Sequence, residues 1–131
     1  MLSQLTLNGR YKLRVDLQAS NGTWYYAEYT TFVVQSETHN YQLQVSGFSG
    51  NVGTNALRFQ NHKMFTTYDR DNDPWINSDY NDNCAVRYGG GFWYDTCGWS
   101  LINAAGWDFR WYWPDSTSLQ LQSSRMWLMC H

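Results

Sequence analysis

What this sequence lacks sets the first limits. It contains no run of about 18 apolar residues, so no helix of bilayer-spanning length can be drawn in it. Charge is scarce: Asp, Glu, Lys and Arg make up 15% of the chain and the formal net charge is -2. Without a basic excess there is no face to neutralise phosphates or to dock on an anionic membrane, which removes nucleic acid from the expected partners. The opening residues Met1-Leu2-Ser3-Gln4 lack the basic start and apolar run of a signal peptide. Internal repeats, low-complexity tracts and a second domain are also missing, so the 131 residues read as one domain with a single core.

Aromatic residues are plentiful, at 18% of the chain with eight Trp and ten Tyr, and they stand among Asn, Gln, Ser, Thr and Gly. This mixture suits a recognition surface, where rings supply rigid contact area and Tyr or Trp keeps a polar handle, although most single rings are expected in the core. Three cysteines, Cys84, Cys97 and Cys130, allow one bridge with one thiol left over. Cys84 and Cys97 enclose an Asn, Gly and aromatic stretch with no second Cys or His at metal spacing, which reads as a disulfide rather than a zinc site. A bridge implies an oxidising compartment, hence a secreted, extracellular protein, and Asn21-Gly22-Thr23 is a glycosylation sequon consistent with that.

The chain begins with strand patterns. Tyr11, Leu13, Val15 and Leu17 alternate with Arg10, Lys12, Arg14 and Asp16, the period of a half-buried strand. Ser20-Asn21-Gly22 supplies a turn and Trp24 to Val34 is β-rich, so residues 10 to 34 predict a hairpin. Tyr41, Leu43 and Val45 predict a third strand, Gly47 to Thr54 a glycine-punctuated loop, and Ala56 to Phe59 at most a helical turn. From Asp69 to Gly106 regular structure fades, and a long irregular segment within a compact domain is usually functional. Leu119, Leu121 and the run Met126 to Met129 predict strands that return to the sheet.

The sharpest chemistry lies in Asp69-Arg70-Asp71-Asn72-Asp73. Three carboxylates at every second position repel one another, and a hard cation with oxygen ligands removes that repulsion; calcium is the natural candidate, against the alternative of a solvated acidic turn. An EF-hand is excluded, because Pro74 stands where its sharp turn needs Gly and Tyr80 where it needs a bidentate Glu. Paired carboxylates such as Asp79 and Asp82 could in principle serve a hydrolase. His39, His62 and His131, however, have no Ser or Cys partner in a recognisable motif, so no enzyme is expected.

The order of the motifs resembles the fibrinogen-related (fibrinogen C-terminal) domain family. The resemblance rests on Gly9-Arg10-Tyr11-Lys12-Leu13-Arg14-Val15-Asp16-Leu17, Tyr26-Ala27-Glu28-Tyr29 and Tyr41 to Gly50, followed by Phe65 to Asp73, Asn83-Cys84-Ala85-Val86 and Gly91-Phe92-Trp93-Tyr94-Asp95-Thr96-Cys97. It implies an α+β fold, a twisted antiparallel sheet with short helices, with about 1–60 and 115–131 as the central sheet part and about 61–114 as a mostly irregular calcium- and ligand-binding part. Asp71 and Asp73 match the family's side-chain calcium ligands, Asp69 a position that supports the loop, and Trp75 and Asn77 hold the offsets of its backbone-carbonyl ligands, across the longer stretch Pro74 to Asp82. The family's lectins receive an acetyl group beside the calcium. Tyr88 matches a pocket-lining tyrosine there, Trp93 the second aromatic of a Trp-Trp pair, and Thr96-Cys97 the position of a cis peptide bond.

The sequence also departs from that pattern. Gly98 stands where the family usually has His, and Trp99, Trp107, Asp108 and Trp111 are candidates to rebuild the pocket wall. Relative to family domains the chain starts after a segment with its own disulfide and strands, so an uncovered sheet edge and apolar area are expected. The function implied is a calcium-dependent, pattern-recognition lectin of innate immunity that binds acetylated, N-acetylglucosamine-like microbial surface glycans. The alternative is a fibrinogen-like module for a receptor or peptide ligand, and in either case homo-oligomers would add multivalency.

Overall fold

The computed structural model describes residues 2–97, 100–104, 108–112 and 118–130. Its centre is a five-stranded antiparallel sheet of order β3-β2-β1-β5-β4, formed by β1 (Tyr11–Ala19), β2 (Trp24–Val34), β3 (Leu43–Gly50), β4 (Arg110–Trp111) and β5 (Leu119–Cys130). Short helices, α1 (Leu2–Thr6) and α2 (Cys84–Tyr88), accompany it, with one-turn 3₁₀ segments at Glu37–His39, Ala56–Phe59 and Ser78–Tyr80.

The predicted hairpin forms as its pattern requires. Leu13, Val15, Leu17 and Ala19 point inward and are buried, while Lys12, Arg14, Asp16 and Gln18 lie on the outer face. On that face Arg14 donates to Asp16 (2.9 Å) and to Glu28 across the hairpin (3.0 Å), and Trp127 of β5 donates its indole N–H to Asp16 (2.7 Å). The sequon occupies the exposed turn between β1 and β2, where Asn21 Oδ1 accepts the Thr23 N–H at 3.0 Å.

Three expectations need correction. The stretch from Gly47 is not a loop at first: β3 runs on to Gly50 in register with β2. Along β2 the buried positions Ala27 and Tyr29 give way to Phe32 and Val34, a one-residue slip of the alternation at Thr30–Thr31. Gly47 faces this slip at φ 73, and any Cβ there would collide with Thr30 Oγ1, so the glycine serves close strand approach rather than a turn. Tyr41, with φ 56, lies just outside β3. Finally, Leu119 to Met129 belong to one continuous strand, and the two-residue β4 joins the sheet through Arg110↔Gln120 and Trp111↔Leu119.

The core is aromatic and continuous from the sheet into the irregular half. Trp111, one candidate for the pocket wall, is fully buried and donates its indole N–H to the Thr54 carbonyl at 3.2 Å, so it is a core residue. Trp93, 7% exposed, donates to the Tyr41 carbonyl at 2.7 Å and meets Phe65 and Phe92 edge-on. Tyr29 donates to Asn55 at 2.9 Å, and burial pushes its phenol pKa upward.

Candidate functional site

The acidic run is held open by hydrogen bonds on either side of it. Thr67 and Arg70 exchange backbone bonds (3.0 and 3.2 Å) that close a tight turn, and Asp69 Oδ1 accepts the Thr67 hydroxyl at 2.8 Å, a brace for that turn. Asn72 is clamped from two directions: its N–H donates to the buried Thr66 hydroxyl (3.0 Å) and its side chain to the Phe65 carbonyl (2.9 Å). The one cation in the run, Arg70, reaches away to Asn40 (2.9 Å) and Glu37 (3.6 Å). Asp71 and Asp73 therefore share their corner without an arginine between them.

Asp73 joins this loop to the next element. Its two oxygens accept the backbone N–H groups of Trp75 and Cys84, each at 3.0 Å, while its own N–H donates to Asp71 Oδ1 at 3.2 Å. Partial burial raises the Asp73 pKa above its ordinary value; the two backbone bonds act against this, and the charge of Asp71 adds to it. The corner is thus short of positive charge, which is the condition a hard cation relieves.

Cys84 opens α2 and is bonded to Cys97, 13 residues on, as the spacing of the pair predicted. The helix starts there because Asn83 caps it, accepting the N–H groups of Ala85 (2.7 Å) and Val86 (3.1 Å). The same side chain, 3% exposed, donates to the Thr67 carbonyl at 2.9 Å, so one asparagine fixes both the helix and the acidic turn. Sequence reasoning passed over Asn83, although an Asn before a short apolar run is an N-cap signal. Gly89, at φ 82, ends the helix.

Between the acidic turn and α2 lies a hollow of about 540 Å³, lined by Thr67, Tyr68 and Asp69 on one wall and by Ala85, Val86 and the run Gly89, Gly90 and Gly91 on the other. A Cβ on Gly90 would strike the Asn103 carbonyl, so the glycine run permits that wall to sit against the chain behind it. Tyr68, at 76% exposure, and Val86, at 38%, are its large accessible side chains. Neither was singled out from the sequence, because only the folded turn brings them to one rim.

The other expected site residues are dispersed. Tyr88 stands at the end of α2 with the Arg87 guanidinium 4.6 Å above its ring, and Asp108 holds Arg87 at 3.6 Å. Thr96 is exposed, and Cys97 is buried at φ 67. The Thr96–Cys97 peptide bond is trans, a correction to the expected cis linkage, and Cys97 itself has left-handed backbone. Gly98, Trp99 and Trp107 lie outside the described residues.

Asn77 is bound up in its own turn. Its carbonyl accepts from Tyr80 (3.1 Å) and Asp82 (2.9 Å), its side chain accepts from Asp79 (3.0 Å), and its N–H donates to Asp82 (2.6 Å). The 74–82 insertion closes on itself here, with the Asn77 carbonyl taken up by two N–H donors of its own turn. Trp75 stacks on Tyr80 at 5.9 Å. Among the described residues no group of three or more His, Cys, Asp or Glu forms a metal cluster; Asp71 and Asp73 stand as a pair of carboxylates.

Comparison with known proteins agrees with the sheet and the bridged loop. The model of the C-terminal globular domain of fibrinogen beta and gamma chains matches residues 1–128. The fibrinogen beta chain of Gallus gallus is 34% identical over 130 residues, which cover 89% of this chain and 27% of that protein. Human ficolin-3 is 40% identical over 102 residues, 78% of this chain and 32% of ficolin-3, so the chain spans about a third or less of these relatives. The fibrinogen-like globe domain of human ANGPTL2 superposes with a TM-score of 0.79 at 29% identity, over 98% of this chain and 62% of that one. From the buried aromatic core to the bridged loop beside the acidic turn, the chain belongs to the family of fibrinogen beta and gamma C-terminal globular domains.

Proposed function

We propose that this chain is a calcium-dependent recognition module for acetylated, N-acetylglucosamine-like glycans, acting outside the cell in pattern recognition of microbial surfaces. The observation that carries the reading is the Asp71–Asp73 corner, from which Arg70 is turned away and which Asp73 ties to the start of α2, one wall of the hollow, through the Cys84 N–H. Calcium held by Asp71 and Asp73 with the Trp75 carbonyl would neutralise the corner and stiffen the turn that forms one wall. An acetamide fits such a hollow because its methyl contributes roughly 1 kcal/mol when buried against apolar groups and its N–H and carbonyl find partners on the exposed turn. The disulfide and the sequence similarity to ficolin-3 support the extracellular assignment and the ligand class. No helix among the described residues is long and apolar enough to cross a membrane.

The module binds rather than catalyses. Asp79 is exposed and Asp82 braces the Asn77 N–H, so this carboxylate pair serves the inserted turn. A second reading, recognition of a receptor or peptide, is favoured by Tyr68 and Ile76, which are 76% and 85% exposed. Retention on N-acetylglucosamine resin separates the two. The glycan reading expects retention in calcium and release by either chelator or free sugar. Passage through the column in both conditions contradicts it and leaves the protein-ligand reading.

A further inference from the structure

The turn between β1 and β2 combines two features that the acidic corner and its hollow leave unused: the Asn21-Gly22-Thr23 sequon and, next in the chain, Trp24. Backbone bonds fix this turn. Gly22 N–H donates to the Ala19 carbonyl (2.9 Å), Ala19 N–H to the Thr23 carbonyl (2.8 Å) and Ser20 N–H to the Gln120 carbonyl of β5 (3.0 Å). No atom lies within 4 Å of where a Gly22 Cβ would stand, so the turn projects into open space. Asn21 and Thr23 are both exposed, and Asn21 Oδ1 accepts the Thr23 N–H at 3.0 Å. The Asn21 Nδ2 amide and the Thr23 hydroxyl have no bond to any described residue. Trp24 pairs with Gln18 and so stands on the outer face of the sheet, 44% exposed. Arg125 lies over its ring at 4.7 Å, and a hollow of about 330 Å³, lined in part by Trp24, Tyr26 and Arg125, opens beside it. Single exposed rings are ordinary. This one is held by a guanidinium, three residues from an acceptor asparagine. β2 is an interior strand, between β1 and β3, so the ring's place is set by the hairpin and not by an open sheet edge.

We propose that Asn21 is an N-glycosylation site and that the first N-acetylglucosamine of its glycan lies on Trp24. The Cys84–Cys97 bridge implies an oxidising compartment of the secretory kind, where a lipid diphosphate-linked oligosaccharide serves as donor. Nδ2 of Asn21 attacks the anomeric carbon of the donor sugar, and the bond from that carbon to the diphosphate oxygen breaks. The proton lost from Nδ2 leaves with the lipid diphosphate, and no redox partner is needed. Gly22 at the middle position keeps the acceptor competent, where Pro would not. Three residues of extended chain span at most ~11 Å, a distance that an asparagine side chain and one pyranose ring cover. A pyranose presents a face of C–H bonds, which suits the flat indole, and the acetyl methyl adds apolar area. Arg125, with its side chain 57% exposed and 4.0 Å from Asp16, keeps N–H donors for sugar oxygens. The glycan is thereby pinned to the outer face and stiffens the hairpin that carries it.

The test uses the full chain translocated into the secretory pathway of a eukaryotic host. Its intact mass should exceed 15.4 kDa by one glycan and return to the bare-chain value on treatment with an amidase that releases the glycan and leaves Asp at position 21. Thr23→Val should never acquire it. Occupancy is read on retained as well as secreted material, so a poorly folding variant is still scored. The seating on Trp24 is read in the unaltered chain from the acetyl methyl protons of the first sugar, which the indole ring current should shift upfield. The melting temperature should fall when the whole glycan is released, but not when an endoglycosidase leaves one N-acetylglucosamine on Asn21. In Trp24→Ala, complete release should not move it. An Asn21 that stays bare overturns the site, and an unshifted methyl, or an equal melting loss in Trp24→Ala, overturns the seating.

Discussion

Asn83 and Asp73 carry more of the site than their size suggests, because each bonds to two elements at once. Replacing Asn83 by Ala removes the acceptor for two helix N–H groups and the donor to the Thr67 carbonyl from a buried position. A loss of about 2–3 kcal/mol in urea-unfolding free energy is expected. Asn83→Asp keeps the cap but not the donor, and should fall between the two. For Asp73 the sign of the pH effect follows from its raised pKa in the folded chain. A group of this kind stabilises folding most when protonated, and that contribution is lost as pH rises through the folded pKa. In chelator, therefore, the Asp73 contribution to the melting temperature should rise as pH falls through its folded pKa toward its unfolded one. In saturating calcium the ion favours the charged form and that rise should vanish. An Asp73→Asn chain should show neither the rise nor its suppression, and identical pH profiles with and without calcium would contradict the assignment of Asp73.

At the scale of elements, the bridge from Cys84 to Cys97 and the strand pair at Gly47 are the points where local chemistry constrains the fold. Closing a loop of this length contributes about 3 kcal/mol in the chain-entropy model, so reduction, or a Cys84→Ser and Cys97→Ser chain, should lower unfolding free energy by about that amount. Gly47→Val should cost about 2 kcal/mol or more, since the side chain meets Thr30 and the backbone is left-handed; the urea midpoint reads it. These elements also mark how far the sequence could be read. The β1–β2 hairpin was legible because apolar and polar residues alternate without a break and Asn-Gly supplies the turn. β3 was cut short because Gly47 and Gly50 look like loop punctuation, whereas their function depends on a neighbouring strand that no local pattern reveals. The five-residue α2 is too short to display a helical period, and only its Asn83 cap announces it.

For the whole molecule, the family, the sheet and the disulfide were legible in ordered motifs, but the hollow was not. Its rim is assembled from Tyr68, Asp69, Val86 and the glycines at 89–91, residues brought together by the Asn83 and Asp73 bonds rather than by sequence proximity. Conversely, the sequence left Trp93 and Trp111 open between core and pocket, and both are core, because a Trp N–H can be satisfied by a buried carbonyl as readily as by a ligand. The account depends on a cation at the acidic corner, and calorimetric titration of calcium into the chelator-stripped chain measures it most directly. It predicts one site with a dissociation constant of about 10⁻⁴ to 10⁻³ M, abolished in an Asp71→Asn and Asp73→Asn chain that still unfolds cooperatively. Absence of a binding heat and of any calcium-induced melting shift in the unaltered chain, or full binding by the doubly substituted one, would contradict it.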